Sequence, residues 1–284
     1  MKNMFFVNKM KNKICASCES QGNLDRIAKS VYIPEWLEKT NYVRNFIHYM
    51  NHHQTLKKNT NNILTKIEFR SSLANRKILL WATTSPNDIF HINGAKKAYM
   101  NKSECVFPNH QVGKVSKDGS LNVYLNPPQL YSVIEKGKQK VYPRHFHFVF
   151  MDTKEKKWST QVYTHVVTPI VSKDFVQEAI QSGKIIIIDA LPADMFQETK
   201  LSETTKSLPA DTDFSMKTVQ HFAKDMPKLK KVLDRTSLTI NHVPIIVYCA
   251  NKKCNAAKKT IDALLEKQFY NIYYYSEGID GWNK

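Results

Sequence analysis

Glycine is scarce in this chain, eight among 284 residues, and cysteine numbers only five. So little glycine excludes collagen-like and Gly-rich linker sequences, and a small, odd set of cysteines excludes a disulfide framework. The thiols of such a chain belong in a reducing compartment, where their chemistry is available. Long apolar runs are also missing: Ile185 to Ile188 and Pro244 to Val247 fall far short of the roughly 20 residues that a membrane helix needs. The opening MKNMFFVNKMKNK is interrupted at Asn8 and Lys9 before a signal-peptide core develops, so no membrane partner is expected.

Acidic residues are sparse in one part of the chain only. Residues 1–170 hold 26 basic against 11 acidic side chains, a net +15, whereas residues 171–284 hold 16 against 14, a net +2. The overall +17 therefore belongs to the N-terminal part. A field of that sign attracts nucleic acid or acidic protein surfaces, with binding that weakens as salt rises. Trp81, Tyr99, Tyr124, Tyr131, Tyr142 and Trp158 interleave with the basic residues, a pattern that suits either stacking on single strands or a β-rich core. With 42% hydrophobic and 24% charged residues the chain has the balance of a globular protein. The richness in Lys, Asn and Ile fits an AT-biased genome, such as that of a large DNA virus or a parasite. The expected location is a reducing cytoplasm or a virion.

Three segments differ in pattern. Residues 1–60 read as a polar, partly helical arm, with Trp36, Leu37, Val43, Phe46 and Ile47 along one helical face. Residues 61–167 read as a basic α+β or β-rich domain, with strands at 78–81, 121–125, 145–150 and 161–167 and turn signals at Asp118-Gly119 and Pro127-Pro128. Residues 168–284 read as an α/β domain. A helix capped by Ser172 leads to a fully apolar strand ending at Asp189, and a polar helical stretch spans 194–234. A buried strand at 243–248, a helix at 256–268 and a strand at 271–275 follow. Buried strands alternating with helices imply a parallel sheet covered on both faces, with its site beyond the carboxyl ends of the strands.

Cys249 stands at one such end. A thiol is nucleophilic only as thiolate, and N–H donors at a helix N-terminus would stabilise that anion. Ala250, Asn251, Lys252, Lys253 and Asn255 are the candidate cradle, and the two lysines add positive potential for an anionic substrate. Cys254 lies within the same loop, either as a resolving thiol that forms a disulfide with Cys249 or as a small buried residue at the helix start.

The segment from Val243 to Trp282, VPIIVYCANKKCNAAKKTIDALLEKQFYNIYYYSEGIDGW, resembles the C-terminal half of rhodanese domains. A buried strand delivers a cysteine to a loop, a helix with Ala257, Ile261, Leu264 and Leu265 on one face follows, and a Glu-Gly-Ile-x-x-Trp ending closes the run. VSKDFVQEAIQSGKIIIIDALP looks like the family's opening helix and first strand, with Asp189 as a supporting strand-end aspartate. The resemblance implies sulfur transfer through a persulfide on Cys249, a small sulfur donor or protein persulfide as partner, and no bound cofactor. Here the loop lacks the family's frequent glycine and has Cys254 near the position of its arginine, as in a subset of relatives with two loop cysteines. A scaffold without chemistry, binding nucleic acid or a partner protein, and a Cys249/Cys254 redox switch are the alternatives.

Weaker signals lie upstream. Cys15 and Cys18 form a CxxC pair that is a minor candidate for zinc, since no second pair follows. His145 and His147 share one side of a strand, where they hold a metal or phosphate or simply pack. His91-Ile92-Asn93-Gly94-Ala95 resembles the rhodanese His-Ile-Pro-Gly-Ala element, but no second cysteine loop accompanies it, which argues against a tandem.

Overall fold

The computed structural model describes residues 63–70, 75–83, 88–94, 109–118, 120–135, 137–151, 163–236 and 238–284. The expected N-terminal arm, with Cys15 and Cys18, lies outside these residues. Two compact units divide the chain: the described residues of the first fall within 64–83 and 93–167, and those of the second are 63, 88–92 and 168–284. Among the described residues no helix is long and apolar enough to cross a membrane.

The strands before residue 168 are β1 (Ile63–Arg70), β2 (Lys77–Ala82), β3 (Asn93–Gly94), β4 (His110–Lys114), β5 (Ser120–Leu125), β6 (Tyr131–Glu135), β7 (Lys138–Tyr142), β8 (His145–Phe150) and β9 (Tyr163–Val166). β4, β2, β8 and β9 make an antiparallel sheet in that order. β1 pairs antiparallel with β5, and β6 and β7 form a hairpin flanked by β3. The β-rich reading holds, although the hairpin went unread because Lys138, Gln139 and Lys140 carry no apolar alternation.

β8 is buried along its whole length, and its alternation splits two kinds of packing. Phe146, Phe148 and Phe150 join Ile78, Leu80 and Ala82 in an apolar core. His145 and His147 face the other way, with ring centroids 4.9 Å apart. His147 packs on Trp81 at 5.6 Å. His145 donates from Nδ1 to the Pro143 carbonyl at 2.7 Å and accepts at Nε2 from the Tyr131 hydroxyl at 3.1 Å, the only tautomer that satisfies a carbonyl partner. These histidines are interior packing groups.

The second unit contains β10 (Ile170–Val171), α1 (Lys173–Ser182), β11 (Ile186–Asp189), α2 (Phe196–Thr199), β12 (Lys206–Ser207), α3 (Met216–Lys224), α4 (Pro227–Arg235), β13 (Ile245–Tyr248), α5 (Ala256–Glu266), β14 (Ile272–Tyr275) and α6 (Gly278–Trp282). Its strands form a parallel sheet in the order β12-β11-β13-β14-β10. Local signals fix the ends of α1. The Ser172 hydroxyl accepts from the Phe175 N–H at 3.3 Å, and Gly183, at φ 61°, turns its N–H back to the Ala179 and Ile180 carbonyls. Pro227 opens α4, where its missing N–H costs nothing.

β11, β13 and β14 are buried throughout, as a parallel sheet with helices on both faces requires. On one face Ile187, Ile246, Tyr248, Tyr273 and Tyr275 pack with Val176 and Ala179 of α1. The opposite face takes Val247 and the buried Ala257, Ile261 and Leu264 of α5, which contacts β13. A short piece from far upstream completes the unit. Ile89 and Phe90 pack against the first of these clusters, and the Asn271 amide donates to the Ile89 carbonyl at 2.8 Å and the His242 carbonyl at 3.1 Å.

Burial lowers His145 to about 4, only partly offset by its bond to Pro143, and burial followed by its neighbour His145 pushes His147 well below the usual range. The uncharged rings are favoured in the folded state. Their contribution is thus complete above about pH 6.5 and is lost as pH falls toward 4, on the order of 3 kcal/mol for His145. Urea unfolding followed by tryptophan fluorescence is expected to show that decline, and a flat profile over this range would contradict the burial of the pair.

Candidate active site

β13 carries the chain to Tyr248, after which residues 249–255 form the loop leading to α5. Cys249 is only 1% exposed, whereas Cys254 is half-buried. Asn251 organises the turn between them. Its side-chain Oδ1 accepts from the Lys253 N–H at 3.0 Å, and its carbonyl accepts from the Cys254 N–H at 3.0 Å. The loop thereby folds back and brings Cys254 beside Cys249. The Cys249 thiol also donates weakly to the Asn251 carbonyl at 3.8 Å and the Cys254 carbonyl at 3.6 Å.

The electrostatics follow from these partners. Of the loop's backbone donors, the Lys253 and Cys254 N–H groups are taken by Asn251. The backbone N–H groups of Ala257 and Asn251 favour the thiolate. Burial dominates and, with the Cys254 thiol, pushes Cys249 up to about 12 against those opposing N–H groups. Burial thus works against the activation expected from the helix N-terminus and favours the protonated thiol.

The other side of the loop is clamped by α6. The Ile279 N–H donates to the Cys249 carbonyl at 3.1 Å and the Asp280 N–H to the Ala250 carbonyl at 3.0 Å. Asp280 Oδ2 accepts from the Asn251 amide at 2.8 Å, and Glu277 pairs with Lys252 at 2.5 Å. Gly278 makes the approach possible. Its φ is +58°, and a Cβ there would sit 2.0 Å from the Cys249 oxygen and 2.6 Å from the Ala250 carbonyl carbon.

Of the cradle candidates, Ala250 and Asn251 are tied to α6 and Lys252 is engaged by Glu277, while Lys253 stands exposed at the loop tip. Asp189 is buried, but its carboxylate serves the fold of its own strand end. It accepts from the Leu191 N–H at 2.9 Å and the Thr199 hydroxyl at 2.5 Å, and the Tyr248 hydroxyl donates to the Thr199 carbonyl at 2.9 Å. Burial raises Asp189 despite those donors.

Sequence reasoning overlooked Tyr274. It pairs with Val247 across β13 and β14 and so faces the same side of the sheet as Cys249, two residues further on. Burial raises its hydroxyl, helped by the nearby Cys249 and Cys254. It also missed Thr199, Ala257 and Asp280 as partners, since long-range contacts leave no local signal. Among the described residues no group of three or more His, Cys, Asp or Glu side chains is placed to hold a metal.

A family model for the Rhodanese-like domain matches residues 172–284. No curated protein matches the chain. Among solved structures, BH2092 protein from Bacillus halodurans is similar at 21% identity, covering 39% of this chain and 67% of that one with a TM-score of 0.29. The N-terminal domain of a Clostridium difficile 630 protein is similar at 14% identity, covering 38% and 93% with a TM-score of 0.23.

Two outcomes are expected from this geometry. Gly278→Ala should destabilise the protein by roughly 3 kcal/mol and free the loop, read as a lower urea midpoint together with faster alkylation of Cys249 by iodoacetamide. Unchanged stability and alkylation would refute the clamp. Cys254→Ala removes a neighbour that raises Cys249, so the pH profile of Cys249 alkylation should shift to lower pH. An unmoved profile would mean that the thiol contact has no energetic weight.

Proposed function

Because residues 172–284 form a rhodanese-like domain, we propose that the chain is a sulfurtransferase in which Cys249 accepts a sulfane sulfur and passes it on. The observation that carries this reading is the place of Cys249, in the loop between the C-terminal end of β13 and the start of α5. Parallel α/β sheets assemble their chemistry at such ends. The Ala257 and Asn251 N–H groups favour the Cys249 thiolate.

The chemistry takes two displacements. The Cys249 thiolate attacks the outer sulfur of thiosulfate or of a small persulfide; the new S–S bond forms, and sulfite or a thiolate leaves with the electron pair. A nucleophilic acceptor then attacks the outer sulfur of the Cys249 persulfide and returns Cys249 as thiolate. No electron is gained or lost overall, so no cofactor is required. The proton that burial keeps on Cys249 must leave first, which makes sulfur uptake faster at higher pH, by about tenfold per unit while the thiol remains mostly protonated. Lys253, exposed beside the loop, supplies positive potential for an anionic donor. The basic residues 1–170, net +15, select the macromolecular partner, an acidic protein or a nucleic acid.

Intact-mass measurement after treatment with thiosulfate, a small persulfide or polysulfide tests the first displacement. Transfer of one sulfur atom is expected, traced to Cys249 by its absence in Cys249→Ser, with a rate that climbs from pH 7 to pH 10. Failure of every donor to deliver sulfur to the wild-type chain would sink the proposal.

A further inference from the structure

We infer that the second step is internal: Cys254 attacks the inner sulfur of the Cys249 persulfide, closes a Cys249–Cys254 disulfide and expels the outer sulfur as hydrosulfide, leaving a dithiol reductant as the external partner. This rests on the persulfide proposed above and names what consumes it.

Three observations lead there. First, the loop folds Cys254 back onto Cys249, whose sulfur lies 3.6 Å from the Cys254 carbonyl oxygen, and that sulfur becomes the inner sulfur of any persulfide. A nucleophile placed beside the inner sulfur displaces the outer one, whereas handing the outer sulfur onward would need a nucleophile placed beyond it. Second, burial works against storing an anionic persulfide, with the Ala257 and Asn251 N–H groups opposing it. Two carbonyl oxygens, of Asn251 at 3.8 Å and Cys254 at 3.6 Å, face the sulfur, and the loop's Lys253 and Cys254 N–H groups are committed to Asn251. Third, exposure differs across the pair. Cys249 is 1% exposed and Cys254 half-buried, so an external thiolate can reach the Cys254 sulfur of the disulfide, with Cys249 as the leaving thiolate.

The balance is complete. The persulfide's S–S bond breaks as the Cys249–Cys254 bond forms. The sulfane sulfur gains two electrons and, with the proton of the Cys254 thiol, departs as hydrosulfide, while the two cysteine sulfurs lose one electron each. An external dithiol then reduces the disulfide in two exchanges and is itself oxidised to a disulfide. A dithiol suits this role better than a monothiol, because its second thiol resolves the mixed disulfide within the same encounter.

The test uses the full chain, reduced and then freed of reductant, with one equivalent of thiosulfate or polysulfide. Wild-type protein is expected to release about one hydrosulfide per chain in its first turnover and then stop. Trypsin cleaves after Lys252 and Lys253, so the disulfide should appear as two linked peptides under non-reducing conditions. Cys254→Ser and Cys254→Ala, checked for unchanged melting, should retain the added sulfur on Cys249 and release none. Dithiothreitol should restart the wild-type protein at least tenfold faster than a monothiol at equal thiol concentration. Wild-type protein that keeps the added sulfur, releases no hydrosulfide and forms no disulfide would overturn the inference while leaving the persulfide reading intact. If neither wild type nor variants take sulfur, release hydrosulfide or oxidise with any donor, both fall together.

Discussion

Everything that the cysteine loop does depends on two backbone carbonyls. The oxygens of Cys249 and Ala250 are held by the Ile279 and Asp280 N–H groups at the start of α6, so a strand-end loop and the end of the domain share one hydrogen-bonded unit. These bonds satisfy groups that would otherwise be costly to bury, and they leave the loop one conformation. They also dictate sequence: Gly278 has no room for a Cβ, because the Cys249 oxygen occupies its place. The side chains reinforce the bond pattern, with Asp280 on Asn251 and Glu277 on Lys252.

Fixing the loop in this way has an electrostatic result. Asn251 uses the Lys253 and Cys254 N–H groups within the loop, and the Cys249 sulfur faces two carbonyl oxygens, with the Ala257 and Asn251 N–H groups favouring its anion. The site thus trades a reactive resting thiolate for a protected thiol beside a second one. Asp189 is arranged on similar terms. Its buried carboxyl, Thr199 and Tyr248 join the ends of β11 and β13 to α2, which makes it a determinant of the scaffold beneath the loop.

The fold of residues 168–284 was legible because its strands are apolar throughout and its helices carry clear caps and faces; Ser172, Gly183 and the Ala257-Ile261-Leu264 stripe all sit as their types imply. The resemblance of the Cys249 loop and the Glu-Gly-Ile-x-x-Trp ending did the rest. Short strands such as β10 and β12 were not legible, since two residues carry no periodicity. The protonation of Cys249 could not be read either: helix position argued for a lowered thiol, whereas burial and the neighbouring Cys254 thiol reverse the sign. His145 and His147 were placed on one side of β8, but whether they bind or pack was decided by Tyr131, Pro143 and Trp81, which sequence spacing does not bring to them.

The Asn271 amide that reaches the Ile89 carbonyl has a consequence for modularity. Asn271 immediately precedes β14, and Ile89 belongs to a five-residue piece assigned to the second unit although it precedes residue 168 by some eighty positions. The unit is therefore discontinuous in sequence and could not be shuffled between proteins as a single cassette. Excised at residue 168, it would leave the Ile89 and Phe90 seats vacant and one acceptor of the buried Asn271 amide missing.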